Sequence, residues 1–520
     1  MNPEQLSRRN AMWDRIGRGE LNNAATDALL LLHTLDSSAD QAEIHSALGL
    51  MLQRVGRVAE SRDRFALAAE LTAHDPRLQA SYVADEAGSR FLLGDLAGAA
   101  SQAEHARRLG DRYANRFAAC EALNTLTGIA LSEGRASDGL RLSKQGVAMQ
   151  AAEQESTGGG PLSHLYHGLA LIELDRFADA DAAFAEGMRR SVIAGSAGQL
   201  TWYHCMRALA RYLSGRWDEA VGDARAGLDD ADRTGTLIAR PIGWAVVALV
   251  EGGRGNVTTA ARLVAPREGA LTAIGFPGEE WLSMARAAVA PDPGTAYDVL
   301  VEGWLHALRT PYFLGWRSLA PALVHNAVLL GHLDMARQAT LHAEAGAALS
   351  GRVPSALGAA LRCRALLDGD ADTAVASVEA FRRSGRPFAL ASACLDAARL
   401  LRTSGYDDRA VTYVREAADV FHALRATPWL ARAGQRLMHL PTPSPVARQV
   451  VGTPPGWLDL TATEREVARH VARGLTNPGI AAVLFISPRT VQTHTSHIYA
   501  KLRIGSRVQL TSVLRRHGLD

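Results

Sequence analysis

The sequence predicts an all-α protein, a long solenoid of about eleven helical hairpins followed by a compact four-helix unit. Three observations predict it. A six-residue phrase recurs over residues 5–435 at spacings of 36 to 41 residues. Apolar residues between its copies return at helical spacing, without the alternation of strands. The last sixty residues carry start and stop signals for four short helices.

The phrase is a Gly (once Asp), any residue, a mostly apolar residue, two more, then usually a small residue. It reads GELNNA from Gly19, GRVAES from Gly56, GDLAGA from Gly94, GRASDG from Gly134, DRFADA from Asp175, GRWDEA from Gly215 and GNVTTA from Gly255. Later copies are GTAYDV from Gly294, GHLDMA from Gly331, GDADTA from Gly369 and GYDDRA from Gly405. Gly permits the tight reversal after a first helix. The apolar residue plugs the hairpin, as Trp217 does in GRWDEA, and the small residue lets the second helix approach closely. One hairpin cannot bury its apolar face alone, so neighbours stack.

Residues 441–457, PTPSPVARQVVGTPPGW, hold five prolines and read as a linker between residues 1–440 and 458–520. In the C-terminal unit, Thr461 and Glu464 have capping-box spacing. Val467, Val471 and Leu475 share a face of the first helix, and Gly474 stops it. Thr476 caps a second helix carrying Ile480, Val483 and Leu484, with Pro478 in its first turn. Ser487 and Pro488 open a third, about Pro488 to Arg503, with Val491, Thr495, Ile498 and Leu502 inward. Arg489, Gln492, Thr493, Ser496 and Lys501 fall largely outside that stripe, where they can reach phosphates or base edges. Ser506 and Gln509 start a fourth helix with Leu510, Val513 and Leu514 inward and Gly518 as its stop. Its outer face, Val508, Thr511, Ser512 and Arg515, is the candidate contact between two copies.

Charge agrees with a nucleic-acid partner. Residues 458–520 hold nine Lys and Arg against four Asp and Glu, +5, whereas the rest of the chain holds 47 against 50, −3. A basic module on a mildly acidic body suits a phosphate backbone.

This segment resembles the LuxR-type (GerE-like) helix-turn-helix domain of bacterial regulators. The matching residues are Leu460-Thr461, Glu464 to Val467, Gly474 to Asn477, Ile480-Ala481, Leu484, Ile486-Ser487, Thr490-Val491, His494, Ile498, Lys501-Leu502 and Ser506-Arg507. The resemblance implies that the second and third helices form the helix-turn-helix, that the third lies in the major groove of promoter DNA, and that the fourth pairs two copies. It places Gln492, Thr493 and Ser496 on bases and Arg489, Thr490, His497 and Lys501 on phosphates. Two departures stand out. Pro478-Gly479 replaces the usual Lys-Glu, removing the reciprocal Glu of a cap at Thr476. Gln492 replaces a favoured Lys, which shifts affinity onto Arg489, Lys501 and Arg507.

The repeats resemble tetratricopeptide-like units, somewhat longer than the usual 34 residues. EAADVFHALRATPWLARAGQRL from Glu416 is similar to the repeat end before the DNA-binding domain in large MalT-like LuxR regulators. Those carry an ATPase ahead of the repeats. Here the repeats begin almost at Met1, so the sensor and reader halves are expected alone.

Composition narrows the chemistry. Lysine occurs only at Lys144 and Lys501, followed by Gln145 and Leu502, so no P-loop is present. No GxSxG, HExxH or Rossmann fingerprint occurs, and no enzyme is expected. Cys120, Cys205, Cys363 and Cys394 are isolated and read as buried thiols. His494 and His497 are three apart without acidic or thiol neighbours, so neither a metal nor a cofactor is expected. No apolar run spans a membrane and no signal peptide opens the chain, which predicts a cytoplasmic protein without a membrane partner.

Six of nine tryptophans lie between positions 202 and 316. Trp202, Tyr203, Arg207 and Arg211 share one helix, with Trp244 in the next repeat. They form either a groove for an anionic or aromatic small molecule, a peptide or a protein effector, or packing between large repeats. The expected function is a homodimeric transcription regulator whose solenoid senses that effector. The alternative is a non-catalytic interaction scaffold with a degenerate helix-turn-helix.

Overall fold

The computed structural model describes residues 1–151, 162–265, 278–309, 315–438, 456–457, 459–484, 486–502 and 504–516, with the backbone alone at 151, 437–438, 508, 512 and 515–516. Gly518 lies outside them. Among the described residues every regular element is an α-helix. The chain divides into two compact units, residues 1–438 and 439–520.

In the first unit, consecutive helices pair as eleven antiparallel hairpins. The first five are Pro3–Arg18 with Leu21–Leu32, Ser38–Arg54 with Val58–Leu71, Pro76–Leu92 with Leu96–Arg112, Arg116–Ser132 with Ala136–Ala151, and Ser163–Glu173 with Phe177–Ile193. The sixth to eighth are Ala197–Leu213 with Trp217–Thr234, Arg240–Arg254 with Val257–Val264, and Glu279–Ala288 with Pro293–Arg309. The last three are Trp316–Leu330 with Leu333–Leu349, Pro354–Asp368 with Ala371–Arg382, and Pro387–Thr403 with Asp407–Ala423, after which Thr427–Met438 closes the stack.

The repeated phrase marks the hairpin reversals, for the expected reason. Its first residue has positive φ at Gly19, Gly56, Gly94, Gly134, Gly215, Gly255, Gly331, Gly369 and Gly405, and also at Asp175, at 59°. The plug position is buried at Leu21, Val58 and Trp217, the last 2% exposed, whereas Val257 and Leu333 in the same position are exposed. Gly294 is the exception. GTAYDV lies inside Pro293–Arg309 and the eighth reversal falls before it, at 289–292, so the phrase there is coincidental.

The hairpins close into a superhelix of about five per turn, which no local signal announces. The Gly19 reversal of the first hairpin lies on Thr234, at the end of the sixth. Gly134 of the fourth meets Leu349 of the ninth, and Gly215 of the sixth meets Pro387 and Leu424 of the eleventh. Hydrogen bonds cross this seam as well: Leu237 N–H donates to Arg54 O at 2.8 Å, and the Thr427 hydroxyl to Arg254 O at 2.6 Å.

The core is largely alanine, and Phe91, Phe184, Tyr203, Trp304, Phe381 and Phe421 are among its largest fully buried side chains. All four cysteines are buried, and burial pushes the Cys205 and Cys363 thiols up to about 12. No helix among the described residues is long and apolar enough to cross a membrane.

Candidate nucleic-acid interface

The second unit holds four helices: Ala462–Ala472, Asn477–Leu484, Pro488–Leu502 and Arg507–Arg516. Each starts where the sequence places a cap. Thr461 and Glu464 form a full capping box. Thr476 Oγ1 accepts Gly479 N–H at 3.3 Å, so this cap survives without the reciprocal Glu. Ser487 Oγ accepts Thr490 N–H at 3.1 Å. At the fourth start, Gln509 N–H donates to Ser506 Oγ at 3.2 Å, while the Gln509 side chain accepts from Gly505 N–H instead of closing the box. Gly474 ends the first helix at φ 84°.

One core joins these helices: Leu460, Val467, Val471, Ile480, Val491, Ile498, Leu502, Leu510 and Leu514, with Trp457. Trp457 was the last residue of the linker by its sequence. It is 3% exposed in this core, and Gly456 before it has φ 81° and lies where any Cβ would strike the Lys501 carbonyl.

The core turns one side of Pro488–Leu502 inward and leaves the other bare. Arg489, Thr490, Gln492, Thr493, Ser496 and His497 are exposed. Ser487, Arg489, Thr490, Thr493, His494 and His497 line an open concavity of about 250 Å³. Thr493 Oγ1 donates to Arg489 O and Ser496 Oγ to Gln492 O, each at 3.1 Å. Their hydroxyl protons are engaged with the helix, but the oxygens remain acceptors.

Lys501 and Arg507 are placed differently. Lys501 Nζ lies 2.7 Å from Glu464 Oε2, the same oxygen that accepts Thr461 N–H at 2.7 Å. His497 Nδ1 stands 3.8 Å from Glu464 Oε1. Burial raises the Glu464 carboxyl, but the bonds from Lys501 and Thr461 outweigh it and hold the group below its usual range. Arg507 donates to Asn477 Oδ1 at 3.1 Å and to the Leu475 carbonyl. Both cations tie helices together. The sequence showed the Glu464 cap but not that Glu464 also anchors the third helix.

Of the candidate dimer residues, Val508, Ser512 and Arg515 have side chains outside the described residues. Thr511 is half-buried and its hydroxyl donates to Arg507 O at 3.1 Å.

The solenoid candidates do not present free donors. Arg207 makes a two-pronged bond to Asp223 at 2.7 and 2.6 Å. Arg211 pairs with Asp181 at 2.9 Å and Asp223 at 2.8 Å. Tyr203 is buried with its ring against Gly187. Trp202 packs with Val58, Leu92, Leu93 and Ile238 across the superhelical seam. Trp244 is half-buried, with the Arg240 guanidinium 5.9 Å from its ring centre.

The fold and the bare face of its third helix define residues 458–514 as a LuxR-type helix-turn-helix domain. The family model matching those residues is that of bacterial regulatory proteins, luxR family. A chain described as an HTH-type transcriptional regulator in Mycobacterium tuberculosis (strain H37Rv) is 59% identical over 63 residues, 12% of this chain and 7% of that one. The probable transcriptional regulatory protein NarL of Mycobacterium tuberculosis (strain CDC 1551) is 40% identical over 62 residues, 12% of this chain and 29% of its own. The chain thus matches less than a third of the length of these relatives. Among solved structures, a Rap protein complexed with competence and sporulation factor aligns at 11% identity over 83% of this chain and 100% of its own. Its TM-score of 0.33 is too low for any conclusion to rest on it.

Proposed function

We propose that the chain is a transcription regulator that binds promoter DNA through Pro488–Leu502, acts as a two-fold dimer, and receives a ligand or protein partner on its solenoid. The observation that carries the DNA reading is the exposed polar face of Arg489, Thr490, Gln492, Thr493 and Ser496 set opposite a complete core. Among the described residues no carboxylate pairs with Arg489. Gln492 has the geometry to pair with adenine, and Thr493 and Ser496 offer acceptors to base amino groups. A single small reading unit makes few contacts, so paired half-sites supply the rest.

Sequencing of DNA recovered with the full-length protein from cells tests this reading. Enrichment of discrete upstream regions that share a two-fold motif supports it. Recovery no different from a Gln492/Thr493/Ser496 triple-alanine variant defeats it.

The scaffold reading has one observation in its favour. Lys501 and Arg507 are engaged inside the domain, which leaves fewer cations for phosphates. Binding to arbitrary duplex DNA at low salt, with no preferred sequence, would favour it.

A further inference from the structure

The turn of the fifth hairpin is seated on the next superhelical turn by charge. Glu173 lies 2.9 Å from Arg317 Nη2. Arg317 Nη1 donates to the Glu173 carbonyl at 2.8 Å and to Ser355 Oγ at 3.0 Å. Two residues on, Asp175 accepts from Arg386 Nε at 2.8 Å and from Ser355 N–H at 2.9 Å. Arg386 Nη2 also donates to the Ile172 carbonyl at 3.2 Å, and its guanidinium lies 5.4 Å from the centre of the Phe177 ring. The four charged side chains are between 2% and 7% exposed.

The neighbouring joints are of another kind. At Gly134 and Gly215 the two turns meet through glycine, proline and leucine. At Gly255 they meet through Pro428 and the Thr427 hydroxyl, and the Arg425–Asp218 pair beside them, at 3.6 Å, is exposed. Cohesion of a solenoid comes from each hairpin stacking on the next along the chain, and parting the turns leaves that stacking intact. Buried ion pairs are near break-even against the same charges in water, whereas a charge stripped of its partner inside protein is costly. Both end states are therefore accessible and the intermediates are not, which is what a bistable element requires.

We propose that the Glu173–Arg317 and Asp175–Arg386 pairs are a latch between successive superhelical turns. The closed state is the one seen here. In the open state the four charges are hydrated and the turns part, while every hairpin stays folded. This behaviour belongs to the solenoid alone and does not depend on DNA binding.

Amide hydrogen exchange on the full chain, resolved by mass spectrometry, tests it. In wild type, raising NaCl to about 1 M favours the separated charges and should speed exchange in 172–177, 353–358 and 384–388 alone. Arg386→Met leaves Asp175 buried without its cation. It should speed the same segments by about tenfold or more, with helix content and exchange in Arg116–Ser132 unchanged. Asp175→Gly combined with Arg386→Met removes both charges of that pair. It should return these segments to within about threefold of wild type and weaken their salt response. Acceleration spread evenly along the solenoid, or none, overturns the latch. Should Arg386→Met fail to fold, the wild-type salt series decides alone: an effect confined to the three segments supports the latch, and a uniform or absent effect overturns it.

Discussion

Asp175 and Arg386 lie 211 residues apart in sequence and 2.8 Å apart in the fold. Asp175 is also the single non-glycine among the repeat phrases, and it adopts the left-handed backbone that Gly supplies elsewhere, φ 59°. A non-glycine residue there costs about 1–2 kcal/mol. Its carboxylate, bonded to Arg386 and Ser355 N–H, explains why it is tolerated.

Asp175→Gly should therefore destabilise, although it restores the residue the turn prefers. Relief of about 1 kcal/mol is outweighed by about 3–5 kcal/mol for stranding a buried partner. A net loss of about 2–4 kcal/mol should appear as a lower urea midpoint for the solenoid.

Gly331 and Gly294 test which phrases are true reversals. Gly331 has φ 82° with open space around it, so Gly331→Ala should cost about 1 kcal/mol through the backbone alone. Gly294 lies in a helix, and an added Cβ there meets only Asp292 Oδ1, at 3.0 Å. Gly294→Ala should be neutral or stabilising by up to about 1 kcal/mol. Thermal unfolding of the two variants side by side distinguishes them.

The recognition helix should separate sequence preference from electrostatic affinity. Gln492→Ala should cost about 1–3 kcal/mol on the preferred site and little elsewhere. Arg489→Ala should weaken all sequences and lower the salt slope by about one. Anisotropy titrations of labelled duplexes over a range of salt measure both.

Lys501→Met should behave unlike Arg489→Ala. It strands the buried Glu464 carboxylate and should cost the domain about 1–3 kcal/mol, with little change in salt slope. Glu464 is held below its ordinary 4.5 in the fold. Its contribution is complete above pH 4.5 and is lost as pH falls through the folded value. Wild-type DNA binding followed downward from pH 6 should fail in that lower range, and the loss should lie elsewhere in Glu464→Gln.

Trp457→Ala should cost about 3–5 kcal/mol in the C-terminal domain, as for a fully buried aromatic. Loss of DNA binding with an unchanged urea transition of the solenoid is the expected pattern.

The sequence by itself determined what is local. The hairpin period, the reversals with left-handed backbone, the caps at Thr461, Thr476 and Ser487, and the inward stripe Val491, Thr495, Ile498 and Leu502 rest on contacts within about one helical turn. Such contacts are written in residue spacing. Tertiary structure alone decided the partners of the charges. By sequence Lys501 and Arg507 read as phosphate ligands, and Arg207 with Arg211 as part of a candidate groove, because spacing shows that a cation is present but not which oxygen within the fold reaches it. Glu464 is 37 residues from Lys501, and Asp181 is 30 from Arg211. Trp457 likewise sits next to a proline-rich stretch in sequence and inside a core in space. The superhelical seam follows the same rule: five hairpins per turn is the sum of many small packing angles, and no residue pattern states that sum.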